Sequence, residues 1–300
     1  MIPAHNEAQV IGRLLDSLLD PPPAGEGAED DIDIVVVCNG CTDATAQVAA
    51  ERGSGVRVVE IPVPSKHTAL RVGDQHARGF PRLYVDADVV ISGADARAVA
   101  RTLGDRAGSP GLLAAAPERE LPLAGCAWRV RAYYRVWQRL PAVREGLFGR
   151  GVIAVSEAGH ARLAALPPLM ADDLAASLAF APEERTVVGG ARVLVQPPRT
   201  WRDLIHRRIR AATSTAQLEQ SGAVRGDGSG GDGSGGDSGN APSARTSKAD
   251  LRALLRAEPA LLPAVLVFVA AAIAARRGSR HAIRTGDFNT WLRDESSRQS

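Results

Sequence analysis

Two carboxylates one residue apart, Asp86 and Asp88, interrupt the apolar, β-branched run 82–91. Such a run reads as a buried strand, and strand alternation sends both acids to one side with only Ala87 between them. Adjacent acids repel, so a cation is their natural partner. No soft ligand sits beside them, which suits Mg²⁺ or Mn²⁺, ions that take oxygen ligands and often share their shell with phosphates. An Asp-rich turn at a strand end has the same composition, so the neighbours must decide. Asp172 and Asp173 form a second acid pair just before a helical pattern, where Asp also serves as an N-cap or first-turn residue. Five arginines fall within 199–210. They make either a solvated basic face or a cluster of forked donors able to grip a diphosphate.

The elements that must position these groups alternate along the chain. Strand-like segments at 32–37, 56–60, 82–91 and 112–116 are separated by helical patterns at 10–19, 44–52, 68–77 and 94–103. This order implies a parallel sheet flanked by helices, whose ligands lie beyond the carboxyl ends of the strands. Asn6, Asn39, Asp43, Asp86 and Asp88 all fall at those ends. Further on, a helix over 127–140 carries Trp128, Tyr133, Tyr134 and Trp137, which read as core packing or as a wall for a substrate. A strand-like stretch at 149–156, a helix at 157–166 and a last strand at 193–196 complete the pattern. The first strand is short: only Met1 and Ile2 precede Pro3, whereas a central strand usually has about five or six residues. An upstream translation start is therefore expected, with an apolar segment running into Ile2.

Composition narrows the field. With 45% hydrophobic residues, 300 residues can bury one good core and an appendage. Basic and acidic residues nearly balance, 36 against 34, and aromatics reach only 4%, so no nucleic-acid footprint is expected. Three cysteines, Cys38, Cys41 and Cys126, are too few for a disulfide framework and fit a reducing cytoplasm. Cys38 and Cys41 spell C-x-x-C, but a zinc site needs four ligands and no second pair supplies them. No G-x-G-x-x-G supports a dehydrogenase, and residues 3–12 lack the Gly-rich phosphate loop of a nucleotidyltransferase. The expected organisation is a catalytic domain over 1–220, a Gly/Ser/Asp-rich linker over 221–247 and a helical tail over 248–300. Seventeen uncharged residues, 259–275, lie between Glu258 and Arg276. That is the low edge of a spanning length, and its basic flanks favour an anionic membrane surface contacted through 248–284.

The ordered set Pro3-Ala4-His5-Asn6-Glu7, Asn39-Gly40-Cys41-Thr42-Asp43, Lys66 with Ala69-Leu70, Asp86-Ala87-Asp88, Ala171-Asp172-Asp173 and Arg207-Arg208-Ile209-Arg210 resembles the family 2 glycosyltransferases. The resemblance covers 1–210. It implies an α/β GT-A (Rossmann-like) fold, a mixed and mostly parallel sheet flanked by helices with a helical C-terminal tail. It implies a nucleotide-diphosphate sugar donor bound by Pro3, His5, Glu7, Asn39, Asp43, Lys66, Asp86, Arg207, Arg208 and Arg210. It also implies Mn²⁺ or Mg²⁺ on Asp88 and Asp86, and Asp173, or its neighbour Asp172, as the base that deprotonates an acceptor hydroxyl with inversion. A lipid-linked acceptor and a cytoplasmic location, peripheral at the inner face of the membrane, follow as expectations. The chain departs from the family at Cys38-Asn39, where many members carry an acidic pair whose first acid recognises uracil, and in its Arg run, which lacks the Gln-x-x-Arg-Trp spelling. A non-catalytic nucleotide-binding homologue, acting as scaffold or regulator, is the alternative these departures motivate.

Overall fold

The computed structural model describes residues 1–20, 32–104, 111–166, 172–220 and 246–285, with backbone alone at 172–173, 214–220 and 282–285. The expected proline stop and loop at 21–31 and nearly all of the expected linker lie outside the described residues.

Strands β1 (Ile2–Ala4), β2 (Ile34–Asn39) and β3 (Val56–Ile61) form a parallel sheet in the order β1-β2-β3. Every residue of β2 is buried, as expected of a strand covered on both faces. A second sheet has the order β4-β7-β6-β8-β5, from β4 (Arg82–Val85), β5 (Val90–Ile91), β6 (Ala114–Glu120), β7 (Val152–Val155) and β8 (Arg185–Leu194). Met1 joins the two: its amine donates to Leu83 O at 2.8 Å and its carbonyl accepts from Val85 N at 2.9 Å, the pattern of a parallel pair. With β2 on one side of β1 and β4 on the other, the strand order reverses at β1, and a crevice opens at such a point.

The run 82–91 is not one strand. It breaks after Val85, and its last two residues cross to the far edge of the second sheet to pair antiparallel with β8. From β4 onward the pairing is mostly antiparallel, with β6–β8 the parallel exception. β8 is ten residues long rather than the expected four, because an irregularity absorbs Gly189, Gly190 and Ala191, whose glycines a sequence pattern reads as a break.

Helix α1 (Ile11–Leu19) buries Ile11, Leu14, Leu15 and Leu18, a helical spacing, against this sheet. α2 (Thr45–Ala50), α3 (Lys66–His76) and α4 (Gly93–Leu103) follow β2, β3 and β5. Ser65 and Ser92 cap α3 and α4 by accepting from Thr68 N and Asp95 N. α6 (Pro141–Glu145), α7 (Glu157–Ala164) and α8 (Asp172–Leu178) surround β7 in sequence.

A separate apolar core unites α5 (Trp128–Trp137) and α9 (Trp201–Gln220) with the C-terminal segment, α10 (Lys248–Ala257) and α11 (Leu262–Thr285). Val130, Tyr133, Leu204, Val265 and Phe268 meet there, and Phe268 stacks on Tyr133 at 5.1 Å. Residues 246–285 thus pack onto the helices that follow the sheet. The window 259–281 is long and apolar enough to cross a membrane by length and composition alone, and a third of it is buried in the fold.

Candidate active site

The β4–β5 turn carries the acid pair. Asp86 N donates to Gly151 O at 2.8 Å, which ends the β4 ladder. Gly151 has φ +67°, and a Cβ there would strike Val89, so glycine lets the 149–151 loop press against the acids. Val85, Ala87 and Val89 are buried while Asp86 and Asp88 are partly exposed, so the two acids do share a side although the segment is a turn. Asp86 Oδ1 accepts from Lys66 Nζ at 2.9 Å. Both side chains are more than a third exposed, so this pair contributes about 0–1 kcal/mol.

Both acids line a cavity of about 340 Å³, together with Arg207 and Arg208 of α9. The guanidinium of Arg207 donates to Gln196 O at 3.2 Å, which fixes its stem, and that of Arg208 lies 6.0 Å from the Tyr133 ring. Tyr133 and Tyr134 are 2% and 4% exposed and serve the helical core, yet with Trp137 they also edge this cavity. Both readings of the aromatic helix therefore apply, except at Trp128, which is 60% exposed. Burial pushes the Tyr133 phenol up to about 12, so it stays protonated. Arg119 stacks on Trp137 with its guanidinium 4.3 Å from the ring.

Arg150, which the sequence pattern did not single out, braces the segment 143–146, of which Val143 lines the cavity. Its guanidinium is 3% exposed and donates to the carbonyls of Gly146, Pro117, Val143 and Arg144. Burial lowers its pKa to about 10, so it remains charged. Its only advance signal was a charged residue between two glycines.

The β1 and β2 loops use their polar groups differently. Asn39 is 4% exposed; its amide donates to Ala4 O at 2.8 Å and accepts from Ser65 N at 3.1 Å. Asn6, at φ +54°, accepts from Thr42 N at 2.7 Å. Asp43 accepts from Ala8 N, Thr45 N and the Thr45 hydroxyl, while Glu7 N donates to that hydroxyl at 2.8 Å. His5 Nδ1 lies 2.6 Å from Asn39 O. These contacts knit the two loops together, and none of His5, Glu7, Asn39 or Asp43 lines the 340 Å³ cavity. Cys38 is buried and its thiol is pushed up to about 12 by burial and then by Cys41, a poor setting for redox chemistry.

Pro3, Lys66 and Asp86 line a second, larger cavity of about 620 Å³ between α3 and α7, adjoining the first at Asp86 and Gly151. Its floor holds a cluster absent from the sequence reading: the Tyr84 hydroxyl lies 3.1 Å from Asp74 Oδ1 and 2.8 Å from His160 Nδ1. Burial, then Asp74, raises the Tyr84 pKa. Arg210 lines neither cavity; the lining positions of α9 are 207, 208, 211 and 212, one face of the helix. Asp172 and Asp173 open α8, and their side chains lie outside the described residues. The next residue, Leu174, lines the smaller cavity, so the backbone brings the second acid pair to its rim.

Among the described residues no three His, Cys, Asp or Glu converge on a metal-binding point. Asp86 and Asp88 offer adjacent hard oxygen donors, which fits Mg²⁺ or Mn²⁺ completed by phosphate and water rather than by an all-protein cage; Asp250, the third acid lining the cavity, accepts from Ser247 N.

The family model described as glycosyl transferase family 2 matches residues 1–108. No curated protein matches the chain. Among solved structures, glucosyl-3-phosphoglycerate synthase from Mycobacterium tuberculosis in complex with phosphoglyceric acid is 19% identical, over 74% of this chain and 78% of that one, with a TM-score of 0.49. The same synthase with Mn²⁺, uridine-diphosphate-glucose and phosphoglyceric acid is 20% identical over 65% and 68%, with a TM-score of 0.43. S. aureus TarS is 15% identical over 71% of this chain and 38% of its own, with a TM-score of 0.44. The matched residues 1–108 hold β1 to β5 and the Asp86–Asp88 turn.

Proposed function

We propose that the protein is an inverting, metal-dependent glycosyltransferase that moves a sugar from a nucleotide-diphosphate sugar to an acceptor hydroxyl. The observation that carries this reading is the cavity in which Asp86 and Asp88 sit with Arg207 and Arg208. Acids and forked cations in one crevice, beside the point where strand order reverses, suit a metal–diphosphate ligand. Asp88 and Asp86 would hold the divalent cation, which when bound supplies Lewis-acid stabilisation of the departing diphosphate. Arg207 and Arg208 add fixed positive charge where that leaving group develops its own. Lys66, with its exposed and weak pairing to Asp86, is placed to exchange that partner for a phosphate.

Asp173, or its neighbour Asp172, takes the acceptor hydroxyl proton as the oxygen attacks the anomeric carbon. The bond from that carbon to the diphosphate oxygen breaks on the opposite face, and the configuration inverts. Pro3, His5, Glu7, Asn39 and Asp43 act mainly by shaping the loops against which the nucleotide lies. Neither Cys38, which is buried, nor Asn39, whose amide is bonded on both sides, offers a free acceptor to a base. Nucleotide choice is therefore expected to depend on backbone groups. The acceptor is proposed to be lipid-linked and the protein to work at the cytoplasmic face of a membrane, where the aromatic cavity wall and the apolar α11 would serve it.

A donor panel tests the proposal. Slow, Mn²⁺-dependent hydrolysis of one nucleotide sugar is expected; stabilisation by a nucleotide without hydrolysis or transfer of any donor would point to the non-catalytic homologue.

A further inference from the structure

Helix α11 has two faces. Ala264, Val265, Phe268, Ala271 and Ala275 are buried against the rest of the fold. Leu262, Leu266, Val269 and Ile273 point outward, at 51%, 64%, 36% and 46% exposure. They include four of the eight exposed large apolar side chains among the described residues. Their spacing, i, i+4, i+7 and i+11, draws a single stripe along the helix. Arg276, Arg277 and Arg280 are exposed and continue the same face at i+14, i+15 and i+18. No acidic residue occurs in 259–285.

We infer that this stripe is a docking surface on which the protein lies along an anionic lipid bilayer, with α11 parallel to the membrane plane. The inference rests on the proposed membrane location and supplies the surface for it. Charge decides the occupant: three arginines in line with an apolar stripe match headgroup phosphates beside acyl chains. Packing decides the orientation, because 259–281 is long enough to span while the exposed stripe covers only about 16 Å of it. The opposite face is tied down as well. Thr213 Oγ1 donates to Ser279 Oγ at 3.1 Å in a buried contact, and Gly278 lets Ile209 of α9 approach so closely that a Cβ would strike it. Crossing the bilayer would tear α11 from these contacts. Phe268, on the inner face of the same helix, lines the cavity of Asp86 and Asp88. Docking through α11 therefore brings that cavity within a helix diameter of the lipid, about 10 Å.

Co-sedimentation of the full chain with vesicles tests the surface. Binding is expected to equimolar phosphatidylglycerol/phosphatidylcholine vesicles, to weaken with salt, and to fall at least tenfold on pure phosphatidylcholine. Leu266→Asp with Ile273→Asp should abolish it. Arg276→Ala, Arg277→Ala and Arg280→Ala together should lower it about a hundredfold, near fivefold per arginine. All of these positions are exposed, so folding should survive, and unchanged Mn²⁺-dependent donor hydrolysis without vesicles would report that separately. Failure of the wild type to bind would overturn the inference. So would a concentration-dependent dimer in vesicle-free solution that the Leu266/Ile273 variant loses, because the stripe would then cover a second copy. Release from cell membranes by detergent alone, and not by carbonate, would replace docking with a span.

Discussion

Two groups of polar residues share the same address, the carboxyl ends of the parallel strands, yet they do different work. Around β1 and β2, Asn6, Asn39 and Asp43 bond to backbone amides and carbonyls of each other's loops. Around β4, Asp86 and Asp88 face a cavity; Lys66 of α3 donates to Asp86, and Arg207 and Arg208 of α9 share the lining. The difference follows from what each loop must do. Beyond the ends of β1 and β2 the chain turns through loops whose peptide groups need partners. At the β4–β5 turn Asp86 N already donates to Gly151 O, so that amide draws on neither carboxylate. Position at a strand end is thus not a sufficient sign of a ligand-binding residue.

Breaking the cavity side of this comparison should have the largest effect. Asp173→Asn is expected to leave nucleotide binding intact and to slow transfer by about 10² to 10⁴, the usual cost of losing a general base. Single-turnover kinetics beside calorimetry would show the split; a crippled Asp172→Asn with an active Asp173→Asn would move the base by one residue. Next, Asp88→Ala should reduce Mn²⁺-dependent donor affinity about a hundredfold, since one carboxylate is left to share the ion with the diphosphate. Equal affinity in wild type and variant, measured by calorimetry with the preferred donor, would remove Asp88 from the metal site.

The loop side should respond in stability rather than affinity. Asn39→Ala removes the acceptor of Ser65 N and one of two side-chain donors to Ala4 O, and is expected to cost about 1–3 kcal/mol in urea unfolding. If its folded fraction binds donor as wild type does, Asn39 is a latch; a selective loss of affinity would return it to the ligand.

The smallest effect is in pH dependence. Burial alone would raise the Asp43 pKa, but the bonds from Thr45 and Ala8 outweigh it and hold the carboxyl below its usual value. A depressed folded pKa gives stability that is present above the unfolded value, near 4, and is lost as pH falls through the folded one. Stability curves of wild type and Asp43→Asn should therefore converge toward pH 3 and separate by pH 6, and parallel curves would show that Asp43 carries no such linkage.

The sequence by itself determined the order of strands and helices through β4, the acid pair beyond β4 and the arginines of α9. These are local properties: apolar periodicity, β-branching, and charge placed where an apolar run ends. Tertiary structure decided the rest, because each remaining feature depends on a partner far along the chain. Residues 90–91 pair with β8, about a hundred positions away, so an apparently single strand had to be split between two edges of a sheet. Arg150 looks like a surface residue in sequence, and only the convergence of four carbonyls from 117 and 143–146 buries it. The aromatic residues of α5 could be core or cavity wall until α9 and α11 packed beside them and made them both. In the same way the first part of α11, 262–275, is apolar all round in composition. Contact with α5 and α9 buries one face and leaves the other, with its three arginines, turned outward.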